Sequence, residues 1–259
     1  MSKWREHVQE RGYLRIGHRG AAGLEPQNTL RAFRRALNLG VDAVELDVQW
    51  TSDRQLVVIH DEDLAKATNG HGLVQEHTLA EVRTLDAGQG EGIPTLDVAF
   101  ELLKGKTLVV VDLKLLGYEE QVVRSITDHG MQDDVLVCSV LPEKLRRVRA
   151  LAPTLLTAFS YPEDTGGAST KPYLAGVVRA ALAVIRATLP WRIGRMITEA
   201  RADGTMLYHK VVTPAVVRAI HRHGWLIGAW TVDTPAGIAR MRDMGVDSIT
   251  SNRPDLLLQ

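Results

Sequence analysis

Apolar runs recur along the chain, and segments of helical period fall between nearly all of them. The runs are LRIGH ending at His18, AVELDVQW from Ala43, QLVVIHD from Gln55, TLVVVDLK from Thr107, VLVCSV from Val135, LLTAFS from Leu155, TMLYHK from Thr205, WLIGAWTV from Trp225 and VDSIT from Val246. Between them, TLRAFRRALNLG, YEEQVVRSITDHG, PEKLRRVRALAP, TPAVVRAIHRHG and TPAGIARMRDMG carry the helical pattern. The last four begin near Pro or an acidic residue, or end on Gly or Pro, as helices do. Continuous apolar strands alternating with helices predict a parallel sheet covered on its outer face.

Nine strands are one more than a closed (β/α)8 barrel uses. Only TSDR separates the second and third runs, too short for a parallel crossover, so these two form an antiparallel hairpin. Removing one hairpin strand leaves eight, and residues 1–259 are used as a single TIM-barrel domain. With Thr51 to Arg54 as the hairpin loop, Trp50 pairs with Gln55 and Glu45 falls opposite His60. Glu45 and Asp47, two apart, share a face, and His60 joins them if that register holds. In the first unit, Leu14 to Ile16 reads as strand and Thr29 to Leu39 as an amphipathic helix capped by Asn28.

One segment exceeds what the barrel needs. Between Ser160 and Thr205 lie forty-four residues, where a helix and two loops need about half. This predicts a helical insertion over about 161–196: the loop YPEDTGGASTKP, then YLAGVVRAALAVIRATLPWRIGRM. A helix of sixteen or so residues is expected there, nearly apolar all round. From Tyr173 to Met196 it carries Arg179, Arg186, Arg192 and Arg195 with no acid. It either packs on the barrel or rests on a membrane beside the mouth, with Trp191 suited to that boundary.

Composition narrows the function. Thirty-one basic residues balance thirty-one acidic ones, so no global field favours nucleic acid or an anionic membrane. Cys138, the single cysteine, lies in an apolar run and is expected to be a buried thiol in a reducing compartment. MSKWREHVQERG lacks the apolar core of a signal peptide, and no stretch approaches the ~20 apolar residues of a membrane span. A cytoplasmic location is expected, with peripheral membrane contact confined to the insertion.

The chemistry-bearing residues sit where strands run out into loops: His18 and Arg19, then Glu45, Asp47 and His60, then Asp112 and Lys114. Glu45, Asp47 and Asp112 interrupt buried strands, where bare carboxylates need a partner. Converging acids repel unless a cation joins them, and oxygen-only ligands point to Mg²⁺ or Ca²⁺. The two histidines could ligate, but a hard cation prefers oxygen and leaves them free as general acid and base. Arg19 and Lys114 supply positive charge for an anion. His209 is a lesser candidate for the mouth, Asp61 for orienting a neighbour, and Asn252 for a substrate contact; His71, His77, His221 and His223 read as surface.

HRGAAGLEPQNTLRAF, GVDAVELDVQWTSDRQLVVIHDEDL, TLVVVDLK and IGAWTVDTPAGIARMRDMGVDSITSNRPDLL, in this order, resemble the glycerophosphodiester phosphodiesterase family over nearly the whole chain. The resemblance implies a (β/α)8 barrel with a divalent cation that hydrolyses glycerophosphodiesters to glycerol 3-phosphate and an alcohol. It implies His18 and His60 as the acid/base pair, and Glu45, Asp47 and Asp112 as metal ligands. Arg19 and Lys114 fall on the phosphate, and Trp230 forms a pocket wall. Two positions depart from the family pattern: Gln27 stands where Glu is usual, and Asp112 where Glu is more common. The DLK of residues 112–114 is also similar to the spider-venom sphingomyelinase D type, which keeps lysophospholipid cleavage open as an alternative. A third reading, a silent barrel binding a phosphorylated ligand, would fit better had an acid/base histidine or two metal ligands been lost.

Overall fold

The computed structural model describes residues 2–162 and 171–258. All nine runs are strands: β1 (Leu14–Gly17), β2 (Ala43–Trp50), β3 (Leu56–Val58), β4 (Leu108–Leu113), β5 (Val135–Ser139), β6 (Leu156–Tyr161), β7 (Gly204–Tyr208), β8 (Leu226–Trp230) and β9 (Ser248–Ser251). Parallel neighbours run β1-β9-β8-β7-β6-β5-β4-β2, and pairing of β1 with β2 closes the ring. This is the expected (β/α)8 barrel, with β3 added antiparallel on β2.

The α-helices are α1 (Lys3–Arg11), α2 (Leu30–Leu39), α3 (Leu79–Val82), α4 (Leu96–Leu103), α5 (Glu119–Asp128), α6 (Pro142–Leu151), α7 (Ala175–Ala200), α8 (Pro214–His221) and α9 (Pro235–Met244). Five expected helical segments are present as α2, α5, α6, α8 and α9. The N-terminal α1 was not expected; its Trp4 is buried against Leu14, Leu136 and Met206 inside the barrel, beside the starts of the strands. Its signal was the i, i+4 pair Trp4 and Val8 in an otherwise charged segment.

Alternation along the strands sorts two layers. In β2, Val44, Leu46 and Val48 face out to the helices, with Phe33 and Phe100, while Ala43, Glu45 and Asp47 point in. In β4 the inward set is Leu108, Val110 and Asp112. The barrel interior is therefore apolar where the strands start, including the buried Cys138, and acidic where β2 and β4 end.

Four expectations need correction. The hairpin register is one residue off: Trp50 pairs with Leu56. Its loop holds five residues, because Thr51 Oγ1 receives the Gln55 N–H while Arg54 takes φ 61° to reverse the chain. β3 ends at Val58, so His60 lies past the ladder, not opposite Glu45. Asn28 does not cap α2; Thr29 does, accepting the Ala32 N–H. The expected helix of sixteen residues is the 26-residue α7. Finally, the helical stretch Pro172–Ala200 is long and apolar enough, by length and composition, to cross a membrane, its charges being four arginines and Glu199. Residues 163–170 of the insertion loop lie outside the described residues.

Candidate active site

The site arises from a break in pairing along one edge of β2. On that edge β1 pairs only as far as Val44, and β3 takes over from Val48. Loops cross the interval: the Gly20 N–H goes to Glu45 O and the Ile59 N–H to Asp47 O. The chain can thus bring His18 and Arg19 from one side, and His60 from the other, to the two carboxylates between. Turning away from β1 so abruptly puts Arg19 at φ 50° and Gly20 at φ 83°. A Cβ on Gly20 would meet the Ala32 backbone of α2 at 2.7 Å, so glycine lets the turn lie against that helix.

On its other edge β2 pairs with β4 in a register that sets Asp47 beside Asp112. One carboxylate oxygen from each of Glu45, Asp47 and Asp112 lies within 4.8 Å of the others. The cations expected on a phosphate are held by these acids. Lys114 Nζ sits 2.8 Å from Asp47 Oδ1 and also contacts Asp112, and Arg19 Nε is 3.2 Å from Asp47 Oδ2. Arg19 also donates its backbone N–H to Glu45 Oε2 and its Nη1 to Gln27 Oε1, so the amide at position 27 is bound to this arginine.

The electrostatics follow from burial. Burial opposes the charge of Asp47, but Lys114 and Arg19 outweigh it and hold the carboxyl well below the usual range. Burial likewise opposes the Lys114 charge, and Asp112, Asp47 and Glu45 outweigh it, raising its pKa. Glu45 is pushed well above the usual range by burial and by Asp47. Three acids and two cations leave −1 (−3 + 2), and Glu45 carries its share only at a cost. A divalent cation on these oxygens would bring the total to +1, complementary to a phosphodiester. The donor set fits a hard cation.

His18 Nε2 lies 3.8 Å from Glu45 Oε2, and its Nδ1 is 2.7 Å from Asn252 Oδ1. Asn252 donates Nδ2 to Asp233 Oδ2 at 2.8 Å, so its oxygen is the acceptor and His18 carries the proton on Nδ1. Nε2 then faces the carboxylates as a free lone pair. Burial, with Arg19 nearby, lowers the His18 pKa to about 4. His60 lies in the loop after β3, within electrostatic reach of Asp47, with Asp61 Oδ2 3.5 Å from its Nδ1. Its backbone carbonyl accepts from Gln49 Nε2, which ties this loop to β2.

Seven of the eight expected residues thus converge. The eighth, Trp230, ends β8; its Nε1 donates to Met206 O at 3.0 Å and its ring lies 5.6 Å from that of Tyr208. It covers the interior core at the mouth end, and these partners are not the carboxylates. His209, half-buried after β7, gives its backbone N–H to Trp230 O.

Several supporting residues escaped the sequence reading. Asn28 donates to Asp47 Oδ2 at 2.8 Å and accepts the Asp47 N–H. Asp233 anchors Asn252, and the buried Tyr118 hydroxyl accepts from Lys114 N while donating to Val48 O. Asp233 could have been found by its place just past β8. Asn28 was read as the cap of α2, the role that Thr29 beside it fills.

A closed parallel barrel whose strand ends gather three carboxylates able to bind a metal ion, beside histidines and two cations, has the form of a TIM-barrel enzyme for an anionic ester. Residues 18–256 match the Glycerophosphoryl diester phosphodiesterase family. A glycerophosphodiester phosphodiesterase of Caldanaerobacter subterraneus subsp. tengcongensis is 34% identical, the match covering 95% of this chain and 96% of that one. The crystal structure of a glycerophosphodiester phosphodiesterase from Agrobacterium tumefaciens superimposes with a TM-score of 0.74 at 28% identity, over 94% of this chain and 97% of that one. An Oleispira antarctica phosphodiesterase, in complex with its product sn-glycerol-3-phosphate, shares the fold at TM-score 0.75 and 24% identity, over 93% of each chain. The chain belongs to the glycerophosphodiester phosphodiesterase family.

Proposed function

We propose that this protein hydrolyses glycerophosphodiesters to glycerol 3-phosphate and an alcohol, with Mg²⁺ or Ca²⁺ on Glu45, Asp47 and Asp112. The carrying observation is the carboxylate cluster within 4.8 Å, flanked by His18 and His60 and partly neutralised by Arg19 and Lys114. The names of the family relatives and the product held by the Oleispira enzyme support the substrate class. When bound, the cation polarises the phosphoryl oxygens and balances the acids.

Arg19 and Lys114 orient the phosphate. His18 Nε2, its lone pair fixed by Asn252 on the other nitrogen, accepts the proton of the glycerol 2-hydroxyl. That oxygen bonds to phosphorus as the bond to the alcohol oxygen breaks, and His60 gives the departing oxygen its proton. Water then opens the cyclic phosphate: one proton returns through His60 as base, and His18 protonates the released 2-oxygen. Holding the nucleophile within the substrate removes much of the entropic barrier. Asp61, 3.5 Å from His60 Nδ1, orients that imidazole, and Trp230 walls the substrate's exit side.

Incubation with glycerophosphocholine, with and without chelator, tests the reading. Glycerol 3-phosphate and choline are expected, and only when metal is present. Glycerol with phosphocholine as products, or undiminished turnover after metal removal, would contradict it. The two histidines are separated by leaving group: a p-nitrophenyl ester should rescue His60→Ala, which lacks the donor, and leave His18→Ala impaired.

A further inference from the structure

The helix between β6 and β7 has two halves. Leu189, Ile193, Ile197 and Ala200 are buried against the barrel, and this half completes the crossover. In the preceding half, 175–188, no residue is buried, although the sequence is almost wholly apolar. The chain leaves β6 at the mouth and enters β7 at the far end, so this half stands on the mouth side, about 20 Å long at 1.5 Å per residue.

Its outward face is a charge-free stripe at helical spacing: Tyr173, Val177, Ala180, Val184, Ala187 and Trp191. Tyr173 is 78% exposed, Val177 67%, Val184 62% and Trp191 83%. The other face carries Arg179 and Arg186, which line a groove with Lys210 and Arg240. Lys210 follows β7, and its ammonium lies 5.7 Å from the Tyr208 ring, which in turn contacts Trp230, so the groove adjoins the mouth. From Lys171 to Thr198 every charged residue is basic. A second copy of the chain on this face would set two positive arrays together. An anionic bilayer matches both features, taking the apolar stripe into its interfacial layer and the cations at its phosphates.

We propose that the mouth-side half of α7 docks the protein on an anionic phospholipid surface, presenting the active site to lysophospholipid. The substrate class rests on the phosphodiesterase reading above: a lysophospholipid keeps the free 2-hydroxyl that the reaction uses, whereas a diacyl lipid lacks it. Docking itself is independent of that reading.

The test compares the intact protein with Val177→Glu/Val184→Glu/Trp191→Glu and with Arg179→Glu/Arg186→Glu. Vesicles of phosphatidylcholine with phosphatidylglycerol, and of phosphatidylcholine alone, are sedimented at low and high salt. The intact protein should pellet with the anionic vesicles about tenfold more than either variant, and the arginine-dependent part should shrink in high salt. Turnover of lysophosphatidylcholine in those vesicles should fall in both variants, while soluble glycerophosphocholine is cleaved at an unchanged rate, which also shows that the variants fold. Equal sedimentation of all three proteins overturns docking. A dimer in size-exclusion chromatography that the apolar-face variant dissociates, without vesicle binding, assigns the stripe to a second copy. Vesicle binding with no cleavage of either substrate sinks the phosphodiesterase reading and leaves docking standing.

Discussion

Aspartates occupy both ends of this barrel, and their surroundings are opposite. At the end where strands begin, Asp42, Asp203 and Asp247 immediately precede β2, β7 and β9. Each accepts a backbone N–H from the neighbouring strand: Arg15 of β1 at 2.9 Å, Thr157 of β6 at 2.9 Å and Ile227 of β8 at 2.7 Å. Each also has a cationic partner or imidazole, Arg15, Arg149 or His221. At the mouth, Glu45, Asp47 and Asp112 face one another, and two cations are shared among three acids. A saturated acid fastens strands; a crowded one stores repulsion that a ligand relieves. The first arrangement serves stability and the second is able to take up a metal ion, in keeping with the division of labour between the faces of such barrels.

The largest effect should come from Glu45→Gln, which keeps the bond to Arg19 N but removes a charge. Turnover should vanish while the melting temperature of the metal-free protein stays level or rises. A fall matching that of Asp42→Ala would erase the contrast between the two ends. His18→Ala and His60→Ala should each lower turnover by about 10²-fold or more, the scale of one acid/base group, with bound metal retained on elemental analysis. Metal lost with either histidine would make that side chain a ligand.

Asp42→Ala should invert the pattern. Losing charge-assisted bonds from Arg15 should cost about 2 kcal/mol of stability, readable by urea unfolding, while activity per folded molecule is unchanged. Burial works against the Asp42 charge, but the Arg15 bonds hold its carboxyl below the usual range. The stabilisation is therefore present above the unfolded pKa, about 3.9, and is lost as pH falls through the lower folded value. Asp42→Asn should flatten the acid side of the stability profile. Smallest is Asn252→Ala, a positioning change: kcat should drop about tenfold with KM nearly constant, and Asn252→Gln should not restore it if the geometry of Nδ1 is what matters.

The barrel and its chemistry were unequally legible. Strands buried on both faces announce themselves by continuous apolar runs, so all nine were visible, and an acid inside such a run is conspicuous. That made Glu45, Asp47 and Asp112 readable. The hairpin register was not, because a left-handed Arg54 lengthens the turn by one residue without a glycine to mark it. His60 lies near the carboxylates through a loop and not through the ladder, so its placement did not follow from the expected register. Asn28 and Asp233 were hidden because their roles depend on contacts between distant segments. Trp4 was hidden because one aromatic side chain on a charged helix carries too little periodic signal.

On the proposed function, the mouth acids form a hard-cation site for phosphodiester hydrolysis. The most direct test is turnover of glycerophosphocholine by chelated protein titrated with Mg²⁺ or Ca²⁺, in the intact chain and in Asp112→Asn. The intact protein should regain glycerol 3-phosphate formation saturably with one ion per chain, and Asp112→Asn should not at the same concentrations. Full activity of the metal-free protein, or identical titrations of the two, would contradict the account.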